Sequence, residues 1–313
     1  MTVDAPPAPD DVTVIGSVNH TSHDVDHSGN LRVTGHIIAG RKVRVSGNLE
    51  VEGVVESAHV DVTGNLRADG GISGRDRGIC KCGGNLAAKY IANATVEAVG
   101  DVVVGTEIIH SHLICGGQLT VSEGSLVAGE TTAAQGIICK RLGSIGSVLT
   151  VVTVGVDGAF DREVASQLQL FESRRKKVHN VRKTVGPLMQ NLKALTAQQK
   201  EKATELLFEA DELEAENARV VEELRKLHEK ALQRCKSEIH VLVGINPPVQ
   251  IKMHGIEATI QTPFRGPLTI RTRGSGCNLQ IILAADGKEP FPLKYRLVPD
   301  VTSTALRELD KPL

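Results

Sequence analysis

Tryptophan is absent from this 313-residue chain, and aromatic residues make up only 2% of it. Before Phe160 the one aromatic side chain is Tyr90. An interior without rings has to be narrow, filled by Val, Ile, Leu, Ala and Cys. No apolar run approaches the roughly 18 residues that a membrane-spanning helix needs. Neither sign of charge dominates: the net charge is −1. Nothing global therefore points to nucleic acid or an anionic membrane. The first ten residues carry Asp4, Pro6, Pro7, Pro9 and Asp10 but neither a basic stretch nor an apolar one. They read as a disordered lead (1–10), not a signal peptide, so a cytoplasmic protein with no membrane insertion is expected. The chain also lacks a phosphate-cradling Walker loop, a GxSxG nucleophile elbow and an HExxH zinc helix. No catalytic residue and no cofactor is predicted. Six cysteines spread along an unexported chain favour reduced thiols over a disulfide framework.

What the chain does have is a short repeated phrase: apolar residues around a polar one, then glycine. It occurs as Val12-Thr-Val-Ile-Gly16, Leu31-Arg-Val-Thr-Gly35, Val43-Arg-Val-Ser-Gly47, Val60-Asp-Val-Thr-Gly64 and Val99-Gly-Asp-Val-Val-Val-Gly105. Successive glycines lie 17 (Gly47 to Gly64), 20 (Gly64 to Gly84), 16 (Gly84 to Gly100) and 17 (Gly100 to Gly117) residues apart. That spacing suits a coil with three short faces and seven or eight rungs, because strands so short bury a face only by stacking. Alternation such as Val43 and Val45 against Arg44 and Ser46 puts aliphatic side chains inside. Glycine is expected at the corners, where φ is often positive. The predicted coil runs over 11–158.

After Gly158 the composition turns to Glu, Lys, Leu, Gln and Ala. Val164, Leu168, Phe171, Val178, Val185 and Leu192 fall on one 4-3 seam, with Arg175, Arg182 and Met189 between them. Leu206, Leu213, Asn217, Val220, Leu224 and Leu227 fall on another. This pattern predicts a long antiparallel coiled-coil hairpin over 159–237, with those apolar positions and Asn217 as its interface. Thr196-Ala-Gln-Gln199 matches a capping box and places the turn near 196–199, with Pro187 as a kink in the first helix. The basic run from Arg174 to Lys183 then faces Glu212, Glu214, Glu216, Glu222 and Glu223. Asn217 reads as a register device. The hairpin would be about 50 to 60 Å long at about 1.5 Å per residue.

From Ile239 the β pattern returns in six short runs separated by turn residues. They predict a C-terminal β module over 238–300 that packs on the coil end and covers its open edge, followed by a tail over 301–313.

The order of these parts, and several phrases within them, resembles the flagellar assembly protein A family. The matching text is Ser28-Gly-Asn30, Gly47-Asn-Leu-Glu50 with Val54, Gly64-Asn-Leu66, Gly70-Gly-Ile-Ser-Gly74, His110-Ser111 before Cys115-Gly-Gly117, Gly124, Ala128-Gly129, Gly143-Ser144 and Thr150-Val-Val-Thr-Val-Gly155. The resemblance implies a right-handed, single-stranded β-helix, bactofilin-like in build, with a coiled-coil insertion. Many members carry a globular domain ahead of the coil. Here 27 residues precede Ser28, so that domain's function is not carried over.

One group has metal-ligand chemistry: Cys80, Cys82, His110, His112, Cys115 and Cys139. Cys80-Lys-Cys82 is not a CxxC knuckle, however, and cysteine suits a narrow apolar core, so no metal is predicted. His20, His23 and His27 with Asp24 and Asp26 read as a solvated loop. A hexapeptide-repeat acyltransferase is also a β-helix and would use His110 or His112 as base, but the six-residue rhythm here slips repeatedly. The expectation is a non-enzymatic scaffold, homo-oligomeric through the coil, the helical arm or both. The alternative is an adaptor or regulatory factor in flagellar or envelope assembly that binds a protein partner through the arm.

Overall fold

The computed structural model describes residues 12–146, 148–156, 158–190, 196–235, 237–273, 280–285 and 290–297. The lead 1–10, the tail 301–313, Leu192 and Cys277 lie outside them. The described chain is mainly β with two helices, α1 (Gly158–Gln190) and α2 (Ala197–Arg234). It divides into two units, one formed by 1–159 with 234–298 and one by 160–233 with 299–313.

The first unit is a β-solenoid of about eight turns built from parallel strands on three walls. On the first wall β1 (Val12–Ile15) pairs with Asn30–Val33, which pairs with Leu49–Val51, then Leu66–Ala68, Leu86–Ala88 and Val102–Val104. Register follows the side chains. Leu31, Leu49, Leu66, Leu86, Val102, Leu119, Ile137 and Ile239 stack in one inward column and are all buried. The second wall stacks Val18, Ile37, Val55, Ile72, Ile91, Ile108 and Leu126. The third begins Val25–His27, Lys42–Val45, His59–Val62 and Ile79–Cys82. One rung has about six inward aliphatics, each contributing about 2 kcal/mol on burial. Ordering its backbone costs about 1 to 2 kcal/mol per residue, so a single rung does not fold alone and the stack forms cooperatively.

Charge supports the register from outside. Down the third wall Asp26, Arg44, Asp61, Lys81 and Glu97 alternate in sign between adjacent strands. On the first wall Arg32, Glu50 and Arg67 do the same. Directly opposed unlike charges favour this pairing over a slipped one.

From the third wall back to the first, the chain normally advances four residues, as from Cys82 to Leu86 or Cys115 to Leu119. After Val154 it advances 85, to Ile239, because α1 and α2 are inserted there. The solenoid then resumes in register: Ile137 pairs with Ile239 and Thr150 with Val249, both parallel. The strands that follow reverse direction. Ile256–Ile260 pairs antiparallel with Val249–Met253, and Leu268–Arg273 with Glu238–Ile245.

In the second unit α1 carries Pro187 inside it. At the start of α2, Thr196 N–H donates to Gln199 Oε1 at 3.0 Å and Gln199 N–H to Thr196 Oγ1 at 3.3 Å. That reciprocal exchange satisfies donors which a helix N-terminus leaves unpaired. Between the helices, Val164, Val221 and Leu224 form a buried cluster with Leu168, Phe171 and Val220 against it.

Candidate functional site

The solenoid wall separates the thiols from the imidazoles. Cys80, Cys82, Cys115 and Cys139 point inward and are buried. Cys82 and Cys115 share one column with Ala98 between them, while Cys139 lies on the first wall beside Val121. Burial pushes the Cys80 and Cys139 thiols up to about 12 and Cys115 up to about 11. A thiol so disfavoured as thiolate is neither a nucleophile nor a ready ligand. His110 and His112 stand on the outer surface. His112 lies beside Glu130 on the next rung, Nδ1 to Oε2 3.6 Å. That partner sits 18 residues on, one coil turn, so the period itself could have located it. Among the described residues no group of three or more His, Cys, Asp or Glu is arranged to hold a metal ion.

The corner between the third and first walls carries a ladder that residue types alone did not announce. Asn30 Oδ1 accepts the backbone N–H of Asn48 at 2.9 Å, and Asn48 Oδ1 accepts that of Asn65 at 2.8 Å. Asn65 Oδ1 continues to Asn85, Asn85 Oδ1 to Asp101 and Asp101 Oδ1 to Gln118, each at 2.8 Å. From Asn65 onward, the glycine before each ladder residue is required by this contact rather than by its own dihedrals. A Cβ at Gly64, Gly84, Gly100 or Gly117 would fall between 2.1 and 2.6 Å from the amide or carboxylate oxygen of the rung before. None of these four has a positive φ, whereas Gly29, Gly71, Gly136 and Gly155 do, so φ explains some of the corner glycines and close approach the others. A shallow groove of ≈ 530 Å³ runs along this ladder, edged by Val12, Glu50, Arg67 and Val103.

The family model of the Flagellar Assembly Protein A beta solenoid domain matches residues 10–276. The chain belongs to this family. No curated protein and no solved structure matches it. The family match runs from the residues before β1 through both helices to the reversed strands. No helix among the described residues is long and apolar enough to cross a membrane.

Of the positions expected at the helical interface of this family member, Val164, Val178, Val185, Asn217 and Leu224 are buried. Leu168, Phe171, Leu206, Leu213 and Val220 are half-buried. Leu227 is 40% exposed: the contact at this level of α2 is made by Val220, Val221 and Leu224. Arg182 also stands outside, where it reaches Asp211 at 3.0 Å and also Glu214, and Arg174 reaches Glu216 at 2.9 Å. Numbers rise along α1 as they fall along α2 in these pairs. Such exposed pairs are worth about 0.5 kcal/mol each and select orientation more than they stabilise. Asn217 differs in kind, because its Oδ1 is buried without a hydrogen-bond partner among the described residues. Asn217→Leu should therefore raise the helical melting midpoint, by about 1 to 2 kcal/mol of stability. Circular dichroism at 222 nm checks this, and an unchanged or lowered midpoint would show that the amide is satisfied.

Proposed function

We propose that this chain is a non-enzymatic scaffold that self-associates through the first rung of its solenoid. The observation carrying this reading is the β1 edge, which no other described strand covers. Among the described residues β1 pairs only with Asn30–Val33, and Thr13, in register with the buried Leu31, is exposed. Ile15 and Val25 on the same rung are only half-buried. An exposed strand edge over an apolar end is a template for another strand. At the other end the antiparallel strands after Met253 act as a capping β module, which favours two copies meeting head to head over open-ended growth. The inserted helices, read as an antiparallel coiled-coil hairpin, are then left to bind other proteins.

Light scattering coupled to size exclusion tests this. The intact chain should be a dimer. Thr13→Lys, which places a charge at the open end without touching the core, should be a monomer with unchanged circular dichroism. A Thr13→Lys protein that remains dimeric moves the interface elsewhere.

A second reading is favoured by Phe208, 70% exposed on α2 among Glu205, Glu209, Asp211 and Glu212. An exposed ring framed by carboxylates suits a basic, apolar segment of a protein partner. This is the adaptor role in flagellar or envelope assembly, and it is compatible with the dimer.

A further inference from the structure

We propose that a recess at the C-terminal end of the solenoid, around Ser237, His254, Arg271 and Arg273, is a binding site for a small anion of the phosphate class. Nothing in the scaffold reading requires it. Three pieces of chain meet there. Ser237 precedes the strand Glu238–Ile245, His254 occupies the turn between Val249–Met253 and Ile256–Ile260, and the two arginines end the strand Leu268–Arg273. Together with Glu238 and Thr272 they line a cavity of ≈ 670 Å³.

Ser237 Oγ and His254 Nε2 are hydrogen-bonded. The pair stands over bare backbone, since a Cβ on Gly155 would lie 2.0 Å from Ser237 Oγ and 3.4 Å from His254 Cε1. His254 itself has φ +46° and is followed by Gly255 at +74°. A two-residue turn with both φ positive usually takes Asn or Gly at its first position. Holding an imidazole there sets a ring at a strained site, which is where functional groups are often found.

The charge on the site comes from the arginines. Arg271 and Arg273 alternate along one strand and so share a face. Among the described residues neither guanidinium has an ion-pair partner. Glu238, opposite Arg271 in the ladder, lies instead 3.4 Å from His240 Nε2. The two guanidinium forks alone offer more donors than the two oxygens of a carboxylate can use, and a phosphate group has the oxygens to accept them.

The thermal unfolding midpoint, followed at constant ionic strength with sodium chloride, tests the site. Inorganic phosphate should raise the midpoint saturably and sodium acetate should not. Arg271→Gln/Arg273→Gln should weaken that response at least tenfold while leaving the phosphate-free midpoint unchanged, because both side chains are exposed. Arg271→Lys/Arg273→Lys should retain part of it. A response that never saturates, or is equal in the Gln variant, overturns the proposal. A second readout needs only the wild-type fold: the His254 ring resonance, assigned with His254→Gln, should move with phosphate and stay still with chloride. Movement in both, or in neither, equally overturns it. Glycerol 3-phosphate run in parallel identifies the source. Tighter binding than inorganic phosphate points to a phosphorylated small molecule, and equal or weaker binding to the free ion.

Discussion

Gly84→Ala is expected to destabilise the solenoid by about 3 kcal/mol, although it adds only one methyl group. The added carbon would lie 2.4 Å from Asn65 Oδ1 and 3.0 Å from the carbonyl oxygen of Gly64. Relief requires Asn65 to withdraw, which strips the Asn85 N–H of its acceptor and breaks the ladder at its centre. The same change at Gly16, where nothing lies within 4 Å, should stay within about 0.5 kcal/mol of wild type. Asn65→Ala alone should cost about 1 to 2 kcal/mol, the value of one lost hydrogen bond and one orphaned donor. In that background Gly84→Ala should cost at least about 1 kcal/mol less than it does alone, because its main obstacle is gone. Urea unfolding of the four proteins measures this directly. Additive effects would mean that the glycine and the asparagine act separately.

The second large effect is alkaline sensitivity. Burial raises the Cys80 and Cys139 thiols to about 12 and Cys115 to about 11, against an ordinary 9.0. Between pH 9 and 11 the unfolded chain releases these protons while the folded chain keeps them. The unfolded state then binds fewer protons, and stability falls as pH rises. It is complete below about pH 9. At pH 10 each of the three thiols accounts for roughly 1.4 kcal/mol of lost stability, about 4 kcal/mol together. Calorimetry at pH 8 and pH 10 should show this drop, and Cys80→Ala/Cys139→Ala should remove about 3 kcal/mol of it while lowering stability at both values, leaving the part due to Cys115 and to Cys82, whose thiol burial also raises. A pH dependence untouched by the double substitution would place the titrating groups elsewhere.

Much of the solenoid could be read from the chain because its period and its alternation are properties of neighbouring residues. Val43 and Val45 point inward for the same reason in sequence and in structure, and so do Cys80 and Cys82. What depends on register could not be read. The glycine at 84 was visible, but its reason is an oxygen 19 residues away, placed only when the rungs stack. The continuation from Ile137 to Ile239 was hidden by the inserted helices, so the β runs after 238 looked like a module apart. Their first two strands in fact take the next places on two walls. The Ser237–His254 pair spans 17 residues, about one coil turn, but its halves sit in a linker and a turn beyond the inserted helices, where no repeated phrase marked the resumed register.

Hydrogen exchange of the Val12–Ile15 amides at rising protein concentration addresses self-association most directly, because it reads the proposed edge itself. If two copies pair through β1, these amides should become protected as concentration rises and lose that protection in Thr13→Lys, while the Leu49–Val51 amides stay protected throughout. Protection of Val12–Ile15 that does not depend on concentration would contradict a scaffold joined at its first rung.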